Sequence, residues 1–338
     1  MAVNLATEYY SQRASVPGTL LISEATFVSF ASSGRDANAP GIYTHDQIQQ
    51  WKLITQAVHA KGSFIYLQIW ALGRAARPHV LKAMGLDMVS SSATPMTNDG
   101  PTPRPMTEDE IQQCVRDFAS ASKNAVEEAG FDGVEIHAAN GYLIDQFIQD
   151  TCNQRTDAWG GSVEKRARFC IEVATAVVGA IGAERTALRL SPYSTFGGMG
   201  MQDPIPQFTY LIGELKKLKL SYLHLVEARV AGNVDVKTTK KIDFAIEAWG
   251  TEQPITLAGG FRPDSARRAV EEEYAEYQIA ISFGRFFISN PDLPYRVLNG
   301  VELAKYDRDT FYKFKSPDGY IDYPFSQEFL ASEIAVKS

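Results

Sequence analysis

Seven short apolar runs rich in β-branched residues recur along the chain: TLLISEAT from Thr19, SFIYLQIW from Ser63, GVEIHAA from Gly133, TALRLS from Thr186, YLHLVEA from Tyr222, PITLAGG from Pro254 and QIAISFGR from Gln278. Each reads as a strand, and runs apolar on both faces suit parallel strands covered by helices. The segments between them carry helix signals. In MTEDEIQQCVRDFASASKNAVEEAG, Thr107 and Glu110 form a capping box and Gly130 stands where a C-terminal glycine belongs. Further helices start at Thr44 and Ser162. Strand and helix alternating down the whole chain predict an α/β fold with a parallel sheet, either open and doubly wound or closed into a barrel. An open sheet holding a dinucleotide would carry a glycine fingerprint after its first strand, and none follows TLLISEAT. The pattern therefore favours the barrel.

Residues 1–338 read as one domain, a length that a parallel barrel reaches as a single unit. The stretch 71–106 is long for a loop and rich in Pro, Ser and Thr, and it is expected to be a lid or loop insertion at the catalytic face. With 45% hydrophobic and 22% charged residues, the chain buries a large core without staples. Its cysteines, Cys114, Cys152 and Cys170, are odd in number and far apart, which argues against a disulfide framework and a zinc site and for a reducing compartment. A net charge of −7 offers no basic field to a phosphate backbone, so nucleic acid is set aside as a partner. The N-terminus lacks the apolar run of a signal peptide and no stretch is apolar for long enough to span a bilayer. A soluble cytoplasmic protein, monomer or homodimer, is expected.

In such a barrel the working residues stand at the C-terminal ends of strands. GVEIHAANGY places His137 there, with Asn140 and Tyr142 just beyond. Imidazole and carboxamide N–H groups aimed at one point can hold a carbonyl oxygen as it becomes an enolate, and a nearby phenol can deliver a proton. A buried histidine with a satisfied hydrogen bond is the plainer reading of a lone His, and its neighbours tip the balance toward chemistry. Gln68, ending SFIYLQIW, offers a donor and an acceptor together, as the edge of a heterocycle requires, although a core amide with local partners would look the same. Arg189 lies within a strand, where a buried cation needs a counter-charge. An anionic reduced cofactor would supply it, and so would Glu135 or Glu227; spacing leaves both open. AGGF at Ala258 and SFGR at Ser282 end consecutive strands, where Gly259, Gly260, Gly284 and Arg285 suit a phosphate, or plain turns. GGMG from Gly197 reads as a loop, and the remaining histidines show no metal-ligand spacing.

HAANGYLIDQFIQDTCNQRTDAWGGSVEKRARF resembles the central signature of the old yellow enzymes, and RASVPGTLLISEATF, QIWALGRAA, LRLSPYSTF, HLVEARV, ISFGRFFISNPDLP and FKSPDGYIDYP resemble their other segments in the same order. The likeness covers nearly the whole chain and is nearest to the fungal branch that acts in alkaloid and other secondary pathways. It implies a (β/α)8 TIM barrel that binds FMN non-covalently and uses NADPH to reduce the C=C bond of a small enal or enone. By matching position, Gln68 and Arg189 would contact the flavin ring, Ala25 would lie against it, and Gly259, Gly260, Gly284 and Arg285 would hold its phosphate side. His137 and Asn140 would bind the activating carbonyl, Tyr142 would donate the proton, and Tyr312 and Phe196 would line the substrate pocket. In part of that branch the tyrosine is replaced and the enzyme works as an isomerase-like partner; the presence of Tyr142 favours net reduction. The departure is at the start. The family's first strand precedes the helix that here reads ATEYYSQRAS, so seven of eight strands are evident. A shortened reading of the gene, a deletion repaired by another segment or subunit, or loss of flavin would each account for it. Loss of flavin would leave a redox-neutral isomerase, cyclase or binding protein.

Overall fold

The computed structural model describes residues 3–36, 38–231, 234–235 and 240–337. All seven predicted strands form and pair in chain order into one curled parallel sheet: β1 (Leu20–Ile22), β2 (Phe64–Trp70), β3 (Gly133–His137), β4 (Thr186–Leu190), β5 (Tyr222–Val226), β6 (Ile255–Ala258) and β7 (Ile279–Ser282), with a two-residue strand, Thr26–Phe27, added in parallel beside the end of β2. Helix α1 (Val3–Arg13) precedes β1, and among the described residues no strand joins the edges of β1 and β7. The architecture is that of a TIM barrel with seven strands.

The strands are not apolar on both faces as expected. Ile65, Leu67 and Ile69, Val134 and Ile136, and Leu188 and Leu190 alternate with Gln68, Glu135 and Arg189, and the apolar set is fully buried in the core. That set faces the helices, and the polar set lines the barrel. The register puts His137 beside Arg189, Arg189 beside His224 and His224 beside Thr256, so a polar row runs round the interior.

The helices begin where their caps predict. Thr44 caps α2 (His45–His59) and Thr107 caps α4 (Glu108–Lys123), each in a full capping box, and Ser162 caps α6 (Val163–Ile181). Beyond α4 a π-turn over Asn124–Glu128 leads to Gly130 at φ +78°, the left-handed conformation that glycine adopts without strain. In α6, Cys170, Val173, Ala174, Val177 and Ile181 are buried at helical spacing.

Residues 71–106 contain a 3₁₀ turn (Gly73–Ala75), α3 (Pro78–Met84) and a short parallel pairing of Val89–Ser90 with Arg104–Pro105. Gln146, on α5 (Leu143–Ile148), ties this stretch down. Its Oε1 accepts from Arg74 N and Ser90 Oγ, and its Nε2 donates to Leu72 O and Gly141 O. Arg74 in turn donates to the carbonyls of Thr94, Pro95, Gly197 and Gly198, pinning this stretch to the turn after β4.

Arg13, 2% exposed, holds the two ends of the chain together. Its guanidinium donates to the carbonyls of Tyr9, Phe287, Ile288 and Tyr320 and lies over the Tyr9 ring, which stacks on Tyr320 at 4.2 Å. Removing it leaves several partly buried carbonyls without their donor, at about 1 kcal/mol each. Arg13→Met is therefore expected to lower unfolding free energy by about 3 kcal/mol or more in urea titration.

Candidate active site

The strand β3 delivers His137 to the mouth of the barrel, and a left-handed turn aims the residues after it. Asn140 and Gly141 have φ +55° and +74°, a pair of conformations that Asn and Gly tolerate better than other residues. Ser191 Oγ, just past β4, accepts from Asn140 N at 2.8 Å, and the buried Asp145 accepts from Gly141 N at 2.8 Å. A Cβ on Gly141 would meet Phe196 O at 2.9 Å, so the segment bearing Phe196 sits directly on this turn. Tyr142 follows as the N-cap of α5.

His137 is 4% exposed, and its Nδ1 accepts from Ala139 N at 3.3 Å. That contact fixes the tautomer: the proton is on Nε2, which is left as a donor. Burial, reinforced by the Arg189 cation, lowers its pKa to about 3, so the ring is neutral at physiological pH. The Tyr142 ring meets His137 edge-on at 4.9 Å and Trp70 edge-on at 4.5 Å, and Ala25 packs in the same cluster as Trp70 and Tyr142.

Arg35 joins the site without a signal in the sequence. Its Nη1 donates to Tyr142 Oη at 3.3 Å, its guanidinium lies 5.9 Å from the Trp70 ring, and Asp36 joins it to Arg77. Burial raises the pKa of the Tyr142 phenol, and Arg35 opposes that rise. An arginine in the loop SSGRDANAP carries no periodic signal, and only its chain-distant contact reveals it.

Deeper in the barrel, Arg189 has a buried Nε with no hydrogen-bond partner and forms no ion pair among the described residues. Of the two carboxylates that could have paired with it, Glu135 is the one whose field acts on Arg189, whereas Glu227 lies against Gly259 on the next strand. Glu135 spends its own hydrogen bonds on Gln68 Nε2, Tyr222 Oη and His224 Nδ1. The buried Trp70 Nε1, Asn140 Oδ1 and His224 Nε2 also lack partners. These open polar atoms and the unpaired cation fit a flavin, whose edge alternates donors and acceptors and which gains negative charge on reduction.

On the opposite side, Gly259 and Gly260 have φ +139° and +63° at the end of β6, and a Cβ on Gly259 would meet Glu227 Cβ at 2.5 Å. A Cβ on Gly284 would find open space, which leaves its backbone approachable. Arg285 follows it and lies 5.8 Å from the Tyr306 ring. Arg229, also unforeseen, donates to Gly259 O at 2.6 Å and stacks over Phe261; its sequence signal was its place just past β5 in HLVEARV. Phe196 is 45% exposed and Tyr312 79% exposed. Both are therefore rim residues, with Tyr312 near enough to influence the Tyr142 phenol.

The profile of the NADH:flavin oxidoreductase / NADH oxidase family matches residues 1–304. Over 323 residues the chain is 60% identical to a chanoclavine-I aldehyde reductase of Penicillium roqueforti, covering 95% of this chain and 87% of the relative. It is 52% identical to an NADP-dependent oxidoreductase of Aspergillus flavus (96% and 88% covered) and 51% identical to a probable inactive reductase of Epichloe festucae var. lolii (95% and 86% covered). The crystal structure of an Old Yellow Enzyme from Pichia superposes with a TM-score of 0.88 at 40% identity, covering 96% of this chain and 85% of that one. No described helix is long and apolar enough to cross a membrane. Profile, relatives and superposed fold agree, and the chain belongs to the NADH:flavin oxidoreductase / NADH oxidase family, among the old yellow enzymes.

Proposed function

We propose that this chain holds FMN at the C-terminal mouth of its barrel and uses NADPH to reduce the C=C bond of an α,β-unsaturated aldehyde or ketone. The observation that carries the reading is the neutral, tautomer-fixed His137 beside Asn140 and Tyr142, in the same mouth as the unpaired Arg189. Gln68, Arg189 and Ala25 would hold the ring; Gly259, Gly260, Gly284 and Arg285 would hold the phosphate side. Bound there, the flavin would supply two-electron hydride chemistry between the nicotinamide and the activated alkene. Arg189 would hold a cation against the side of the ring that gains negative charge. His137 Nε2–H and Asn140 Nδ2–H donate to the activating oxygen, and these bonds strengthen as that oxygen gains charge. Tyr142 Oη–H then protonates the α-carbon. Phe196 and Tyr312 line the approach, and residues 71–106 form its lid.

The aldehyde reductase of P. roqueforti supports an aldehyde substrate, and the A. flavus relative supports NADPH as donor. Mixing the FMN-loaded chain with NADPH without oxygen, then with an enal, tests the proposal. Bleaching of the flavin band by NADPH and its return on adding the enal are expected. Bleaching with no return, and no saturated aldehyde formed, would overturn it.

Two further outcomes follow from the geometry. Arg35→Met removes a charged donor from Tyr142 Oη, and a loss of about 1 kcal/mol of transition-state stabilisation corresponds to about fivefold slower enal turnover. Arg35→Lys recovers part of it, as comparison of kcat at pH 7 will show. The His137 pKa of about 3 in the folded chain lies below its unfolded value near 6.5, so the unfolded state takes up a proton first as pH falls. The contribution is fully present above about pH 6.5 and is lost progressively on acidification. Between pH 7 and pH 5, urea unfolding of His137→Gln should lose about 2 kcal/mol less stability than the parent chain.

A further inference from the structure

We infer that Glu135 is a positioning residue that sets the redox balance of the flavin site, by orienting the Gln68 carboxamide and by offsetting the Arg189 cation without touching it. The inference rests on the reading that FMN binds at this mouth. Glu135 is 0% exposed, yet side chains from β2 and β5 converge on it: Gln68 Nε2 donates to Oε1 at 2.7 Å, and Tyr222 Oη and His224 Nδ1 donate to Oε2 at 2.9 and 2.8 Å. A carboxylate taken so far from water persists only with such a shell. Burial works against its charge, and His224, Arg189 and Gln68 outweigh burial and hold its pKa below the usual carboxylate range. The His224 Nδ1–H points at the carboxylate, which can only accept.

Two consequences follow for a ligand in the mouth. With Nε2 committed to Glu135, Gln68 has its carbonyl oxygen to offer, so the site presents an acceptor rather than an amide free to flip. Among the described residues Arg189 makes no ion pair, and Glu135 reaches it only through space. Flavin reduction adds negative charge close to both: Arg189 favours it, and the fixed charge of Glu135 opposes it. Glu135 therefore keeps the reduced cofactor a willing donor instead of letting Arg189 stabilise it too deeply.

The test is the FMN midpoint potential of the loaded full-length chain, measured against a reference dye for the parent, Glu135→Gln and Tyr222→Phe. Glu135→Gln is expected to shift the oxidised–reduced equilibrium about tenfold toward the reduced form, about 30 mV more positive for a two-electron couple. Tyr222→Phe, which keeps the charge and removes one of its donors, is expected to shift it the opposite way by a smaller factor. The second variant keeps the test open if the first fails to fold. FMN-loaded variants with potentials within twofold of the parent equilibrium would overturn this inference alone. A parent chain that takes up no FMN would instead remove the reading beneath it.

Discussion

Tyr142→Phe is expected to slow turnover of an enal by about 10²–10⁴-fold, the range that a positioned general acid contributes, while leaving reduction of the flavin by NADPH unchanged. The asymmetry comes from where the hydroxyl sits. The Tyr142 ring is wedged edge-on between His137 and Trp70, so Phe preserves the packing and only the hydroxyl, the proposed proton source, is lost. Arg35 donates to the oxygen, which leaves the hydroxyl hydrogen free to point elsewhere, and its charge eases formation of the phenolate. The two half-reactions, followed separately by rapid mixing, decide the matter. Equal slowing of both would remove Tyr142 from the proton-donor role.

Loss of the oxygen-binding donors forms the second large effect. Asn140→Ala and His137→Ala should each lower kcat for an enal by about 10²–10³-fold, the effect of removing one preorganised donor from developing charge. The double variant should cost far less than the product of the two if, as proposed, both donors serve one oxygen. The His137 effect has a further signature. Since its pKa is lowered to about 3, no limb of the enal pH profile between about pH 5 and 8 belongs to it. A limb in that window that vanishes in His137→Gln would mean that the imidazolium, not the neutral ring, is the donor.

Much of this arrangement is legible in the chain. The seven strands show as β-branched runs, and the caps at Thr44, Thr107 and Ser162 fix where three helices begin. The polar interior is legible too: Leu67-Gln68-Ile69, Val134-Glu135-Ile136, Leu188-Arg189-Leu190 and Leu223-His224-Leu225 each set one polar residue between two apolar ones, a period of two that marks an inward face. What no local pattern reveals is which of these residues meet. Glu135 gathers Gln68, Tyr222 and His224 from strands far apart in sequence. Arg35 reaches Tyr142 across 107 positions. Such contacts depend on sheet order and register, which a barrel settles only when all its strands are in place.

Whether this seven-stranded barrel holds a flavin is decided by titrating the purified chain with FMN, removing free cofactor and reading the flavin absorbance per chain. One FMN per chain is expected, reduced to a small fraction of that by Arg189→Leu. A folded chain that stays colourless after titration would mean that the barrel holds no flavin.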